Sequence, residues 1–315
     1  MSGDITIRTH CPLCGESGNQ AFWTKYGRDP SIAGQPVSLD RRPTILTCEK
    51  CGFRFTTPVV GDDVIRRYYL KADTGVWPDD PRNVVCRDYR NRIRRIRDYA
   101  ITPAVLDIGC YTGEFLAQFP DDWAKAGIEL SESAATVARQ RKVQIIGEDF
   151  FGTRIEPGTY GVIAAMNIIE HVPDPSAFIR KAADSLADGG ILVIETGDVR
   201  SWFARLMGEY WSYYHLPEHI SFLSRKVLVQ MMRQFGLEIV ESRSNLFFKR
   251  PWGVKGWLWH LREVGYAVGA SLKWRAMHLL VSGSAQPTDI RWLLQKDHML
   301  IIGRKKLAHA SRATQ

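Results

Sequence analysis

The chain has 315 residues, enough for one large domain and a small accessory one. Apolar residues make up 45% and charged residues 24%, which is typical of a soluble protein with a buried core. No apolar run is long enough for a membrane helix, and the amino terminus lacks the apolar stretch of a secretory signal, so we expect a cytoplasmic protein. The net charge of +8 suits an anionic partner, but basic residues that only solvate helix surfaces explain it equally well.

Four of the six cysteines form two Cys-x-x-Cys-Gly pairs, Cys11 with Cys14 and Cys48 with Cys51. In each pair the glycine permits the tight turn that points backbone amides at the sulfurs. In a cytoplasmic chain this spacing indicates a metal site rather than disulfides, and four thiolates suit zinc. A closed site of this kind has no open coordination position, so we assign it to folding rather than to chemistry.

The predicted elements follow in chain order. We expect a short strand over 53–57, a helix over 62–70, a linker over 71–83, and a helix over 84–100 whose outer face is rich in arginine. Strands over 104–108, 124–129, 143–147, 160–166 and 190–196 then alternate with helices over 113–119, 132–141 and 175–186. A helix over 224–235 and strands over 237–243 and 298–303 complete the pattern. This alternation predicts an α/β fold with a doubly wound, mostly parallel, Rossmann-like sheet of seven strands, preceded by a small zinc ribbon.

The turn after the first buried strand is where doubly wound sheets bind nucleotides. A dinucleotide loop needs a second glycine close to the pyrophosphate, and here Tyr111 occupies that position between Gly109 and Gly113. S-adenosylmethionine carries no phosphate, so its binding tolerates a side chain there. Asp107 can contact the amino-acid portion of such a ligand, whereas it would repel a pyrophosphate.

Two further acidic positions fit the same ligand. Glu129 follows the second strand, twenty residues after Gly109, and can accept hydrogen bonds from both ribose hydroxyls. Glu148, Asp149 and Phe150 follow the third strand and offer a carboxylate to the adenine amino group and an aromatic face to the ring. The alternative interpretation is an α/β protein whose turn residues happen to be acidic.

At these residues the sequence resembles the class I S-adenosylmethionine-dependent methyltransferases. Residues 106–115 (LDIGCYTGEF) resemble the first motif of that family, 167–175 (NIIEHVPDP) the segment after its fourth strand, and 187–195 (ADGGILVIE) its fifth strand. The chain departs from the family pattern at Tyr111, and at Gly161, where an acidic residue is usual. The resemblance implies that S-adenosylmethionine is held by Asp107, Gly109, Cys110, Tyr111, Gly113, Glu129, Leu130, Glu148, Asp149, Phe150 and Asn167.

The amino-terminal region resembles the front end of bacterial sugar C-methyltransferases and related glycan-associated enzymes. The features that carry this resemblance are the cysteine pairs, the stretch 53–58 (FRFTTP) and a helix that ends at Tyr68 and Tyr69. Residues 216–222 (LPEHISF) are also similar to a stretch in bacterial members. Together the resemblances cover about residues 10–240 and imply a small-molecule or glycan acceptor, with a sugar hydroxyl or carbon favoured.

Methyl transfer from a sulfonium is an in-line displacement, so the protein mainly positions the acceptor and removes its proton. Histidine suits the second task because it titrates near neutrality. His171 follows the fourth strand beside Glu170, and His219 lies after the fifth strand beside Glu218, so these two histidines are the candidate general bases. A purely structural role is the alternative for each of them. The aromatic segment 201–216 is well placed to cover the acceptor, although core packing explains it as well.

Four regions follow from this pattern: a zinc-binding ribbon over 1–60, a helical cofactor-covering segment over 61–100, a methyltransferase domain over 101–245 with 297–306, and a helical aromatic and basic insertion over 246–296. Within the insertion, residues 249–280 mix tryptophan and leucine with lysine and arginine. Such a stretch suits a lid, a dimer face or a peripheral contact at the inner face of a membrane.

Two other functions stay open at this level. An RNA-directed enzyme would use the ribbon and the arginine-rich helix as its binding surface, but that helix lacks the exposed aromatic residues that stack bases. A non-catalytic zinc-ribbon scaffold would have lost cofactor binding, which the departures at Tyr111 and Gly161 leave open.

Overall fold

The computed structural model describes residues 5–17, 19–22, 30–71, 89–211, 213–245 and 297–307. The aromatic and basic stretch 249–280 lies outside the described residues, as does most of the 71–83 linker. The predictions for these two segments stay predictions.

The amino-terminal region consists of short antiparallel strands followed by a helix. The strands are β1 (Ile5–Thr6), β2 (Asn19–Phe22), β3 (Ser31–Ile32), β4 (Gln35–Pro36), β5 (Thr44–Cys48), β6 (Arg54–Thr57) and β7 (Val59–Val60). β5 lies between β2 and β6, while β1 pairs with β7 and β3 with β4. The helix α1 (Asp62–Leu70) has the predicted bounds.

A central sheet of seven strands follows. Its strands are β8 (Ala104–Ile108), β9 (Ala124–Ile128), β10 (Gln144–Gly147), β11 (Tyr160–Met166), β12 (Leu186–Gly197), β14 (Leu237–Asn245) and β15 (His298–Lys305). The spatial order is β10-β9-β8-β11-β12-β15-β14, parallel as far as β12 and antiparallel at β15 and β14. The predicted Rossmann-like, mostly parallel sheet is confirmed.

Six more helices are described: α2 (Arg90–Tyr99), α3 (Glu114–Ala117), α4 (Glu132–Gln140), α5 (Pro175–Ser185), α6 (Trp202–Met207) and α7 (Arg225–Gln234). Polar side chains fix where several of them begin, since the Asp174 carboxylate accepts the Ala177 N–H at 2.9 Å and Pro175 opens α5. In the described part of the chain no helix is both long and apolar enough to cross a membrane.

Alternate residues of each buried strand point to opposite faces of the sheet, so both faces are covered. Leu106 and Ile163 belong to a core that contains α5, α7 and the ribbon residues Phe53 and Phe55. On the other face, the neighbouring strand residues pack against α2, α3 and α4. Because the ribbon contributes to the first of these cores, it is packed onto the sheet rather than tethered beside it.

A two-residue strand, β13 (Ser221–Phe222), connects the part of the chain that carries the central sheet to the amino-terminal ribbon. It pairs antiparallel with β6, Ser221 opposite Phe55, and completes a four-stranded sheet with the ribbon strands. The segment before it packs on the ribbon as well, because Trp211, Tyr214 and Ile45 belong to one buried cluster.

The glycine at position 161 has a packing explanation. A Cβ there would lie 2.2 Å from the Thr102 Oγ1 atom and 2.7 Å from the Thr102 carbonyl oxygen. Any side chain at this position, including the acidic one that the family resemblance leads one to expect, would collide with the entry to β8.

We therefore expect Gly161→Asp to lower the free energy of unfolding by about 1–3 kcal/mol, the usual cost of overpacking a core. Thr159→Asp is the control, because it adds the same carboxylate at an exposed position two residues earlier, where surface substitutions change stability by about 0.5 kcal/mol or less. Denaturant unfolding measures both. Equal midpoints for Gly161→Asp and the natural chain would refute the packing explanation.

Candidate functional site

The loop after β8 carries three residues in the left-handed region of backbone conformation. Gly109, Tyr111 and Gly113 have φ angles of 71°, 48° and 75°. A left-handed backbone costs a residue with a side chain roughly 1–2 kcal/mol, so the tyrosine needs compensation. That compensation is a hydrogen bond of 2.8 Å from the Tyr111 N–H to the Glu129 carboxylate.

Glu129 lies directly after β9 and is 8% exposed. Its second oxygen accepts a hydrogen bond from the Ser131 N–H, also at 2.8 Å. Burial raises the pKa of Glu129, and the backbone N–H donors offset part of that rise. The carboxylate therefore ties the end of β9 to the glycine loop, at the position where the sequence predicts the ribose hydroxyls.

Asp107 and Cys110 are buried at the same edge of the sheet. Asp107 lies opposite Gly127 on β9 and Ala164 on β11. A Cβ on Gly127 would lie 2.4 Å from the Cys110 Sγ, so residue 127 must be small for the thiol to pack there. Leu130, the next predicted cofactor contact, is half-buried.

Asn167 follows β11 with a φ of 59°, and its N–H donates to the Glu195 carbonyl at 2.8 Å. Both polar atoms of its side chain are buried, and neither has a hydrogen-bond partner among the residues that the structure describes. A buried amide without partners is costly, and a bound ligand can supply them. The adjacent Ile168 packs over Gly109, so Asn167 lies beside the glycine loop.

The three residues after β10 differ in exposure. Glu148 and Asp149 are exposed, and Glu148 forms an ion pair with Arg66 of α1. Phe150 is 5% exposed and packs against Phe178 of α5, with ring centroids 4.8 Å apart. The sequence predicts that Phe150 contacts adenine, and the structure places its ring in the core behind this edge.

The two histidines predicted as candidate bases are neighbours. The rings of His171 and His219 are nearly perpendicular, with centroids 4.7 Å apart. The Nδ1 atom of His171 lies 3.1 Å from the Glu218 carbonyl oxygen, and the Nδ1 atom of His219 lies 2.6 Å from the Tyr213 carbonyl oxygen. Carbonyl oxygens only accept, so each Nδ1 carries the proton and each Nε2 keeps its lone pair. Burial and the nearby His171 lower the pKa of His219 well below its ordinary value.

A buried carboxylate, Glu218, links this pair to the amino-terminal region. One of its oxygens accepts the Ala33 N–H at 2.6 Å and the Tyr69 hydroxyl at 3.2 Å, and the other lies 2.8 Å from the His215 Nε2. Burial alone would raise the pKa of Glu218, but the hydrogen bond to His215 and the electrostatic interaction with the His171 ring hold that pKa below its usual range. Tyr69 of α1 is thereby held at the edge of the histidine pair.

A second buried carboxylate, Glu170, lies on the other side of the pair. It accepts a hydrogen bond from the Thr196 hydroxyl at 2.9 Å, and Thr196 also bonds the Tyr213 hydroxyl at 2.8 Å. The Tyr213 ring packs onto Gly197, where any Cβ would approach it within 2.4 Å. Burial and the charge of Glu170 raise the pKa of Tyr213 well above its ordinary value, so this hydroxyl stays protonated.

The ribbon holds the backbone of the loop that contains His219 and Ile220. The Thr56 N–H donates to the Ile220 carbonyl at 3.0 Å, and the Thr56 hydroxyl donates to the His219 carbonyl at 3.2 Å. The Ile220 N–H in turn donates to the Glu170 carbonyl at 2.8 Å. The residues around the histidine pair thus depend on β6 for their position.

The four cysteines of the ribbon form one cluster. The Cys11 and Cys51 sulfurs are 3.6 Å apart, as are those of Cys14 and Cys48, and all four lie within 4.8 Å of one another. Zinc–sulfur bonds of about 2.3 Å place the corners of a tetrahedron about 3.8 Å apart, so the donor set fits Zn²⁺. Burial raises the pKa of the Cys11 thiol to about 11. Four thiolates this close together repel one another, and a bound cation would hold all four deprotonated.

In the sequence, Glu170 and Glu218 stand out only as neighbours of the histidines, and nothing in the local pattern marks Thr196. These side chains meet through contacts that span more than 20 residues, for which local spacing gives no signal. The acidic character of both positions beside a histidine was the one indication available.

Replacing Glu129 should weaken S-adenosylmethionine binding. Glu129→Ala removes a carboxylate that fixes the glycine loop through two charge-assisted hydrogen bonds, each worth about 1.5–3 kcal/mol, so we expect the Kd to rise at least about tenfold. Glu132→Ala is the control, since Glu132 is an exposed acid three residues further on that pairs with Arg139. Calorimetric titration measures both, and unchanged affinity in Glu129→Ala would mean that the ribose lies elsewhere.

The chain is similar to known proteins over about half of its length. A ubiquinone biosynthesis O-methyltransferase of Thiobacillus denitrificans is 29% identical over 153 residues, which make up 44% of this chain and 65% of that protein. An uncharacterized protein of Methanocaldococcus jannaschii is 23% identical over 162 residues, or 50% of this chain and 76% of that protein. The chain thus spans less than two thirds of the first of these relatives.

Among solved structures, an S-adenosylmethionine-dependent, possible histamine N-methyltransferase of Thermotoga maritima aligns with a TM-score of 0.46 and 20% identity. The alignment covers 69% of this chain and 89% of that one.

The family model for the methyltransferase domain matches residues 82–242, just over half of the 315 residues. The matched range contains the glycine loop, Glu129 and both histidines of the pair. The chain therefore belongs to the methyltransferase domain family.

Proposed function

We propose that the chain is an S-adenosylmethionine-dependent methyltransferase that acts on a hydroxyl group or carbon of a small-molecule or glycan acceptor. The observation that carries the proposal is the pair of anchored histidines, flanked by two buried carboxylates, at the end of the sheet that bears the glycine loop. Ile168 connects the two parts, because it packs over Gly109 and directly precedes the turn that contains His171.

The residues at the carboxyl ends of β8 to β11 would hold the cofactor. When bound, S-adenosylmethionine supplies an activated methyl group. The Glu129 carboxylate would accept hydrogen bonds from the ribose hydroxyls. The Asn167 side chain, whose two polar atoms are buried without a hydrogen-bond partner among the described residues, would bind the amino-acid portion. Asp107 is the further candidate for that portion.

Either histidine can take the acceptor's proton through its Nε2 atom. The Nδ1 atoms are engaged by backbone carbonyls, which fixes the tautomer and the direction of each ring. The hydroxyls of Tyr69 and Tyr213 are held by neighbouring side chains at the border of the pair, where they can orient an acceptor.

Two observations support a small acceptor over RNA. The relative from Thiobacillus denitrificans is named for O-methylation in ubiquinone biosynthesis, which involves a small molecule. In α2, Arg92 forms a buried bidentate pair with Glu195 at 2.5 Å, and Arg95 pairs with Glu241, so these two arginines are engaged within the protein. A sugar as acceptor is supported only by the resemblance of the amino-terminal region.

The ribbon would carry a structural Zn²⁺ on Cys11, Cys14, Cys48 and Cys51. Its contribution to the reaction would be indirect. β5 ends at Cys48, β6 begins at Arg54 shortly after Cys51, and β6 positions the backbone of His219 and Ile220. A cytoplasmic location accords with the use of cysteines as metal ligands rather than in disulfides.

Replacing the base should slow methyl transfer without loss of cofactor. We expect His171→Gln or His219→Gln to lower kcat by about 10²–10⁴-fold, the usual contribution of general base catalysis, at an unchanged Kd for S-adenosylmethionine. Release of S-adenosylhomocysteine with a panel of phenolic and sugar acceptors measures this effect. His10→Gln, at an exposed position in the ribbon, is the control. Full activity in both variants would exclude a histidine base.

Loss of zinc should separate catalysis from cofactor binding. We expect Cys51→Ser to lower kcat at least about tenfold, because a loosened β6 no longer fixes the loop of His219, while the Kd for S-adenosylmethionine stays within about twofold. Metal analysis, turnover and calorimetry on the same preparation measure the three quantities. Full turnover by metal-free, folded protein would contradict this coupling.

A further inference from the structure

Three side chains at the histidine pair form a mixed nitrogen and oxygen donor set. We propose that Glu170, His171 and His219 bind one divalent transition-metal ion, and that a bound ion excludes the proton-accepting role of the two histidines. The exclusion rests on the proposed function, whereas the binding site does not.

The donors are close enough to share an ion. One donor atom of each residue lies within 4.8 Å of the other two, and within the described ranges only the four cysteines form another such group. Two donors on opposite sides of an ion are about 4.2 Å apart when each bond is about 2.1 Å long. The three donor atoms therefore lie close to the spacing that one shared ion requires.

Both histidines are held as metal-binding histidines usually are. Each Nδ1 donates to a backbone carbonyl, that of Glu218 for His171 and that of Tyr213 for His219. Such a bond fixes the tautomer with the lone pair on Nε2 and sets the orientation of the ring. Each Nε2 atom therefore has a lone pair available to coordinate an ion.

The Glu170 carboxylate provides independent support for an ion at this site. Glu170 is fully buried, and one of its oxygens accepts the Thr196 hydroxyl. The other oxygen is buried and has no hydrogen-bond partner among the described residues. An unpartnered carboxylate oxygen in a protein interior is costly, and a cation would offset that cost.

The donor types select the class of ion. Two imidazoles and one carboxylate suit Zn²⁺, Co²⁺, Fe²⁺ or Ni²⁺, whereas Mg²⁺ and Ca²⁺ prefer oxygen ligands. Three protein ligands leave further coordination positions for water or for an oxygen of a bound acceptor.

Occupancy and base catalysis exclude each other because each Nε2 has one lone pair. That pair either takes the acceptor's proton or coordinates the ion. A bound transition metal would therefore inhibit methyl transfer reversibly, without displacing the cofactor from the edge formed by β8 to β11.

Cobalt titration of the full, zinc-loaded chain tests the site. We expect one equivalent of Co²⁺ to bind with the visible spectrum of nitrogen and oxygen ligands, without the sulfur-to-cobalt bands that exchange into the ribbon would give. His171→Ala and Glu170→Gln should each weaken the Kd at least tenfold. His215→Gln is the matched control, because it removes a histidine of the same cluster that is outside the three, and it should bind cobalt as the natural chain does.

Cobalt that does not bind, that binds only with sulfur-to-cobalt bands, or that binds equally to His171→Ala would overturn the site. Circular dichroism and S-adenosylmethionine titration establish that each variant is folded. If Glu170→Gln does not fold, His171→Ala, at a half-buried position, tests the site by itself. Turnover that is unchanged or faster at saturating cobalt would overturn the exclusion. If the chain turns over no acceptor, the proposed function fails, but the cobalt spectrum still tests the metal site. Failure of the proposed function and failure of the metal site are therefore distinguishable.

Discussion

The arrangement of the candidate site depends on the backbone of one residue, Ile220. Its carbonyl accepts a hydrogen bond from Thr56 of the ribbon, and its N–H donates to the carbonyl of Glu170 at the end of the central sheet. The residue before it is His219, and the residue after Glu170 is His171. The bond between Ile220 and Glu170 therefore holds the two histidine segments together, and the bond from Thr56 ties both of them to the ribbon.

The edge of the sheet that carries the glycine loop could be predicted from the sequence. Apolar runs followed by glycines and acidic turn residues mark the end of each strand there. Strands β8 and β11 begin and end where the pattern predicts. The pairing of β13 with β6 could not be predicted, because two residues have no periodicity and their partners lie over 160 residues away. Glu218 lies just before β13, and Thr196 lies near the end of β12. Their roles depend on contacts between distant parts of the chain, so the sequence could not predict them either.

The two departures from the family pattern have physical explanations. Tyr111 adopts the left-handed backbone of the glycine it replaces, and its N–H is held by Glu129. Gly161 leaves room for the backbone of Thr102. Neither position requires the loss of cofactor binding, so the departures do not favour a non-catalytic scaffold.

The central claim is that the edge formed by β8 to β11 binds S-adenosylmethionine with its sulfur directed toward the histidine pair. A crystal structure with S-adenosylhomocysteine tests it most directly. We expect the ribose hydroxyls to donate hydrogen bonds to the Glu129 carboxylate, and the open space beyond the sulfur to be bordered by His171 and His219. A ligand bound elsewhere, or with its sulfur directed away from both histidines, would contradict it.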